Sequence, residues 1–302
     1  MDIATHALIG TATAAGLFQT QPALAVGLVL GNVAPDLDAL SRVTGKHAFL
    51  RFHQTYTHSV GAIAMVLAIA AGLLILGLPV WGELAMGLVV GMVMHVGLDL
   101  TNSYGVKCLW PFSQRRFALD WIFFIDAFVI ALSAVILIGQ FVYQADEGLV
   151  RLFSVAFILT LILYVGIRCI LAFRARRLVK SADHQTVPTS IIPTTWSPFR
   201  FLVCRQKDRL VETFTLNARS GSETDRDLIE VLDQRVPEAI TECREWLVMR
   251  SLSDSFVCVE IDEVNKTYTC RDLRIRNFGT KFGMLTCQLD DRGVIQRKTW
   301  DV

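Results

Sequence analysis

Long apolar stretches fill the first 173 positions of the chain and then give way to alternation with charge. Four of them, roughly 59–78, 83–104, 118–141 and 149–173, reach the roughly 20 residues that a helix needs to cross a bilayer. Two shorter runs, 7–18 and 22–34, precede them and are separated by Gln19, Thr20, Gln21 and Pro22. Proline suits the first turn of a new helix. The pair is therefore expected as a helical hairpin that enters the membrane shallowly or at a tilt, with two short spans as the alternative. Beyond Lys180 the pattern changes. A polar, Pro-bearing stretch carries Pro188, Pro193 and Pro198, and alternating segments follow at Phe199–Cys204, Leu210–Leu216, Ser255–Ile261, Lys266–Cys270 and Met284–Leu289. Turns are expected at Lys207-Asp208 and near Asp290, and a helical pattern runs from about Asp225 to Leu247, broken near Pro237. The prediction is an α-helical polytopic membrane bundle (four spans plus an N-terminal helical hairpin) over 1–174. A linker at 175–198 and a small α+β antiparallel-sheet domain at 199–302 complete it.

Charge sharpens that division. Residues 1–173 hold 17 of the 57 Asp, Glu, Lys and Arg residues, and the last 129 hold the other 40. This excludes a single soluble globule as well as a purely membranous chain. With a net charge of +1 and basic residues interleaved with acids, no direct nucleic-acid binding is expected. The seven cysteines are Cys108, Cys169, Cys204, Cys243, Cys258, Cys270 and Cys287, with no C-x-x-C pair among them. Reduced thiols are expected in preference to a disulfide framework or a zinc ribbon. The first run has no Lys or Arg before Arg42, so it is not expected to be a secretory signal.

Basic loop residues orient the bundle. Arg42, Lys46 and Arg51 fall in the 35–58 loop, Lys107, Arg115 and Arg116 in the 105–117 loop, and Arg174, Arg176, Arg177 and Lys180 follow the last span. The 79–82 connection has no basic residue, and the 142–148 turn holds Asp146 and Glu147, with Arg151 the one discordant charge. The positive-inside rule then places 35–58, 105–117 and everything after 174 in the cytoplasm. The small-residue pairs Gly27/Gly31 and Gly87/Gly91 suit close helix packing and carry no functional message.

Ionisable residues are expensive in the apolar half and so point to function. Five of the six histidines lie there: His6, His47, His53, His58 and His95. The expected topology brings His6, Asp36, Asp38, His53, His58, His95, Asp99, Asp120 and Asp126 to one membrane face. His95 and Asp99 are four apart and share a helix face. Asp36 and Asp38 flank Leu37 after Pro35, in a cap-like segment. Mixed imidazole and carboxylate donors suit zinc, manganese or iron, and the lack of Cys disfavours a structural zinc site. Two ions are within the capacity of the set, and a two-metal centre can activate water and clamp phosphoester oxygens. Each residue also has an ordinary alternative. His95–Asp99 can be a buried hydrogen bond or proton relay, Asp36 a helix cap, and Asp126 a satisfied carboxylate. His47 reads as solvated, and Asp2, Glu83 and His184 as surface groups.

The opening Met-Asp-Ile-Ala-Thr-His-Ala, then Pro35-Asp36-Leu37-Asp38, His53-Gln54-Thr55-Tyr56-Thr57-His58-Ser59 and His95-Val96-Gly97-Leu98-Asp99 follow in a specific order. So do Tyr104-Gly105, Trp110-Pro111-Phe112 and Asp126. Over about 1–175 the chain resembles the membrane-bound metal-dependent hydrolase family related to the LexA-binding inner-membrane protein of enteric bacteria. One departure is visible: many members have His-Arg where this chain has His53-Gln54, with Arg51 as a candidate substitute for the missing cation. The resemblance implies a hydrolase of the bacterial inner membrane.

Residues and resemblance together lead to one expectation. His6, Asp36, Asp38, His58, His95 and Asp99 would ligate one or two divalent ions, zinc or manganese, with His53 and Asp126 as acid/base or supporting groups. The substrate would be a phosphoester such as a phospholipid, met at the cytoplasmic face of the lipid bilayer. The alternative is a non-catalytic membrane-tethered protein, in which the metal is structural and 199–302 captures a cytoplasmic protein partner. An ion or proton transporter is a third class, opposed by the lack of polar residues on the outer side of the spans.

Overall fold

The computed structural model describes residues 1–182, 189–278 and 282–301, without the side chains of Arg51, 181–182 and 276–278. Pro188, His184 and the Arg51 side chain, each given a role by the sequence, lie outside the described residues. The chain divides into two compact units, Met1–Ala172 with Pro193–Pro198, and Phe173–Ile192 with Phe199–Val302.

In the first unit α1 (Ile3–Ala14) starts where the Asp2 carboxylate accepts the Ala4 and Thr5 N–H groups. α2 (Pro22–Val33) begins with Pro22 in its first turn and continues through 3₁₀ turns to Thr44. α3 (Lys46–Phe52) leads to α4 (Val60–Ile75), capped by Ser59. α5 (Pro79–Leu100), α6 (Ala127–Val142) and α7 (Glu147–Ala182) complete the helices, and α7 runs on into the second unit. The hairpin expected at 7–34 is therefore α1 and α2, joined at Gln19–Gln21.

Three helical segments are long and apolar enough to cross a membrane: Pro22–Thr44, Pro79–Leu100 and Glu147–Lys180. The stretches 59–78 and 118–141, expected as spans, form the shorter helices α4 and α6 of 16 residues each. Such a helix is about 24 Å long at about 1.5 Å per residue, against a hydrocarbon core of roughly 30 Å. The physical reason lies in their ends. Gly77 turns the chain at φ 73 after α4, and Asp126 caps α6 nine residues into the apolar run. Large apolar side chains such as Met65, Ile69, Val135 and Ile138 on α4 and α6, and Leu159, Ile162 and Ile170 on α7, are exposed, as on surfaces that face lipid.

Two glycine pairs set the closest packing. A Cβ on Gly27 or Gly31 would stand 2.0 or 2.1 Å from the carbonyl oxygen of Leu84 or Leu88. Reciprocally, one on Gly87 or Gly91 would stand 2.2 Å from that of Leu24 or Leu28. α2 and α5 thus touch backbone to backbone, as the small-residue pattern requires. Elsewhere Met1, Ile9, Leu98, Ile122, Val129 and Phe157 form a common core. Ser154 and Gln140 both donate to the Ala12 carbonyl, pinning α6 and α7 to α1.

The second unit contains two four-stranded antiparallel sheets. The first orders β1 (Thr189–Pro193), β2 (Arg200–Lys207), β3 (Leu210–Asn217) and β4 (Glu223–Glu230) side by side. After the short helices α8 (Glu238–Thr241) and α9 (Arg244–Leu252), the second orders β5 (Phe256–Asp262), β6 (Thr267–Asp272), β7 (Met284–Leu289) and β8 (Ile295–Asp301). Leu202, Cys204 and Val211 of the first sheet pack with Val257 and Leu273. The helix expected from Asp225 is corrected: 223–230 is an edge strand paired with β3. Its charged side chains stay exposed at the edge, where Arg226 pairs with Glu212 and Glu223. Sheet pairing overrides local propensity here.

Candidate metal centre

Three segments deliver the site. Asp36 sits in the 3₁₀ extension of α2, His58 one residue before the Ser59 cap of α4, and His95 and Asp99 one turn apart near the end of α5. The backbone contact between α2 and α5 fixes the spacing of Asp36 against His95 and Asp99. All four side chains are buried, and one donor atom from each lies within 4.8 Å of the others.

The distances describe a single focus. His58 Nε2 lies 3.0 Å from His95 Nε2, 3.3 Å from Asp36 Oδ1 and 3.6 Å from Asp99 Oδ2. His95 Nε2 lies 3.6 Å from both Asp36 Oδ1 and Asp99 Oδ2. Around a tetrahedral ion with bonds of about 2.0–2.1 Å, ligand atoms stand about 3.3 Å apart. The observed edges bracket that value.

Proton placement agrees. His95 Nδ1 is 2.8 Å from the Asn32 carbonyl, which can only accept, so this nitrogen donates and Nε2 turns a lone pair to the focus. His58 Nδ1 lies 3.0 Å from Thr57 Oγ1 and 3.3 Å from Asp38 Oδ2, which similarly commits Nε2 to the focus. Asp36 Oδ2 is buried without a hydrogen-bond partner. Lone pairs gathered in a dry site call for a cation between them. The donor set therefore fits a divalent metal ion and does not distinguish which. Burial disfavours the charged His58 imidazolium, but Asp36 and Asp38 outweigh it and raise the pKa above its ordinary 6.5.

The remaining candidates take other places. His6 stacks on His95 with ring centroids 3.7 Å apart and reaches Asp99 Oδ1 at 3.1 Å, beside the four and not among them. The Met1 nitrogen also contacts Asp99. Asp38 accepts from His53 Nδ1 at 2.6 Å, Thr57 Oγ1 at 2.7 Å and Gln54 N at 3.1 Å. It backs His58 from behind, as outer carboxylates do at metal-binding histidines. Asp126 is not brought to the cluster. It caps α6 through the Phe128 and Val129 N–H groups and accepts the Tyr164 hydroxyl at 2.9 and 3.0 Å. Asp2 is a helix cap, Glu83 is exposed, and His47 is half-buried in α3.

Sequence reasoning missed three supports. Asn32, a lone amide in the apolar 22–34 run, orients His95 through its carbonyl and holds the His6 carbonyl through its side chain; its polarity there was the available signal. Asn102 donates to Asp99 at 3.2 Å. Gln54, noticed only as a departure, donates to Asp99 Oδ2 at 3.2 Å.

Apolar helices of span length around a buried His/Asp cluster define a membrane protein with a site that could hold a metal ion. The chain belongs to the YdjM inner membrane protein family, whose model matches residues 1–170. An inner-membrane location follows from that membership and from the apolar helices. A Bacillus subtilis relative, described as uncharacterized protein YfhP, is 28% identical over 206 residues, which is 65% of this chain and 62% of the relative. The chain thus spans less than two thirds of that relative's length. No solved structure matches the chain.

Proposed function

We propose that the protein is a membrane-embedded metal-dependent hydrolase acting on a phosphoester at the cytoplasmic face of the inner membrane. The observation that carries this reading is the convergence of the His58 and His95 Nε2 lone pairs with Asp36 and Asp99. A bound divalent ion would supply Lewis acidity and make a water molecule a competent nucleophile near neutral pH. The chain's own residues supply the rest. Asp38 fixes the proton of His53 on Nδ1, which leaves Nε2 free to take or give one. The half-buried His53 is accordingly the acid/base group, and Asp38 its orienting carboxylate. His6 joins as a further ligand if a second ion binds, and Asp126 acts through the fold. The basic 35–58 and 105–117 loops and the C-terminal domain lie on the cytoplasmic side, where a phospholipid headgroup is within reach.

One observation favours a second reading. Four protein donors in a fully buried set resemble a closed, structural metal site more than an open catalytic one. The chain would then be a membrane-tethered protein whose 199–302 region engages a cytoplasmic partner. Metal analysis of detergent-purified protein, with phosphodiester and phospholipid hydrolysis assays, separates the two. The hydrolase reading expects bound zinc or manganese, turnover, and loss of both in His58→Ala and Asp36→Ala. His53→Ala should keep the metal and lose turnover. Metal without turnover on any substrate supports the structural reading; no bound metal overturns both.

A further inference from the structure

Gln54 is buried at 3% exposure and holds φ 57, a left-handed conformation that is strained for a non-glycine residue. Four hydrogen bonds hold it there. Its N–H donates to Asp38 at 3.1 Å and its carbonyl accepts the Lys107 N–H at 3.1 Å. Its side-chain Nε2 donates to Asp99 at 3.2 Å, and its Oε1 accepts from Arg116 Nη1 at 3.2 Å. Arg116 is thus one side-chain amide away from a proposed metal ligand. It comes from the 105–117 loop, whose ends are clamped by Val106 and Phe117 pairing at 2.9 Å in both directions.

The bonding of Arg116 is unusual for a half-buried cation. Nη1 donates to two neutral acceptors, Gln54 Oε1 and, at 2.8 Å, the Gly105 carbonyl. Among the described residues no carboxylate forms an ion pair with it. Asp38 acts on it only through space, both oxygens of that acid being engaged by His53, Gln54 and Thr57. The Nε and Nη2 edge, the fork that matches two oxygens of one oxyanion, is left for a ligand. With a divalent ion balancing Asp36 and Asp99, Arg116 would balance the one further carboxylate beside the cluster, Asp38.

We propose that Arg116, held by Gln54 and Gly105, is the anion-binding residue of the metal centre and takes a phosphoryl group through its Nε/Nη2 edge. This rests on the metal-hydrolase reading. The phosphoryl group can belong to a lipid headgroup or to a soluble phosphoester.

The test uses full-length protein in detergent, loaded with zinc or manganese and titrated calorimetrically with inorganic phosphate. Acetate, glycerol 3-phosphate and short-chain phosphatidic acid are run in parallel. Arg116→Gln should keep metal content and thermal midpoint while losing at least tenfold in phosphate affinity. Arg116→Lys, which keeps charge but not the fork, should fall between, and serves as the readout if the Gln variant does not fold. Tighter phosphatidic acid than glycerol 3-phosphate marks a lipid source; the reverse marks a soluble one. Unchanged phosphate affinity in metal-loaded Arg116→Gln overturns the assignment and leaves the metal centre standing. So does a metal-loaded wild type that binds no phosphate, or binds acetate equally well. A wild type without metal overturns the metal-centre reading first, and this one with it.

Discussion

The two halves of the chain use charge in opposite ways. The second unit keeps most of its many charged residues on its surface, in exposed pairs such as Arg235–Glu263 and Lys266–Asp291, and pairs buried ones such as Asp272 and Glu245 with Arg274 and Lys298. The exposed pairs are worth little individually. The first unit has few, and buries Asp36, His58, His95 and Asp99 against one another. A buried charge without a counterion costs several kcal/mol, so this group persists only with a purpose or a bound cation. Abundance of charge and the clustering of buried charge are therefore separate properties, and here they fall in different units.

The contrast is broken most severely at the cluster itself. Asp36→Asn or His95→Ala should lower metal affinity by at least two orders of magnitude, read by competition with a chromophoric chelator. Next comes the helix crossing. Gly31→Val or Gly91→Val drives a side chain into a carbonyl 2.1 or 2.2 Å away, and overpacking of this kind costs about 1–3 kcal/mol. Thermal unfolding should register the loss, and metal affinity should fall with it.

Acid gives a graded version of the same test. Because the His58 pKa is raised, metal entry must displace its proton. Affinity should hold above that pKa and fall about tenfold per pH unit below it, one proton being displaced per ion. A pH-independent affinity would remove His58 from the ligand set. The smallest effect belongs to the second unit. Its Cys243 thiol, at the start of α9, is lowered to about 6, chiefly by a hydrogen bond with Cys287, while burial opposes the shift. Alkylation of Cys243 by iodoacetamide should be half-maximal near pH 6, and Cys287→Ala should move the midpoint upward, with metal binding unaffected.

Much of this was legible in the sequence, for identifiable reasons. His58, His95, Asp36 and Asp99 announce themselves because an ionisable group among apolar residues has few structural excuses. Loop charges and helix ends give a residue's height along the membrane normal but not its bearing around the bundle. Asp126 shows the difference: it stands at a helix start like the others, yet turns to Tyr164 and its own helix. Asp38 and His6 fall next to the focus and outside the four, a distinction of a few ångströms that spacing does not encode. The helix of the 118–141 stretch begins only at Ala127, a start that hydropathy does not show because it is blind to a cap. In the second unit, 223–230 looked helical by composition and became a strand through its partner β3, a fact outside the segment itself.

The crossing of α2 and α5 has a consequence for mutation. Gly31 lies five residues before Asp36, and Gly91 four before His95, so the bare backbone contact works as the gauge block from which two positions of the cluster are measured. A methyl group added there touches no metal and no substrate, yet it changes the setting of both. A substitution at either glycine therefore needs a matching shift in the facing helix to be tolerated, as if the glycines were part of the site.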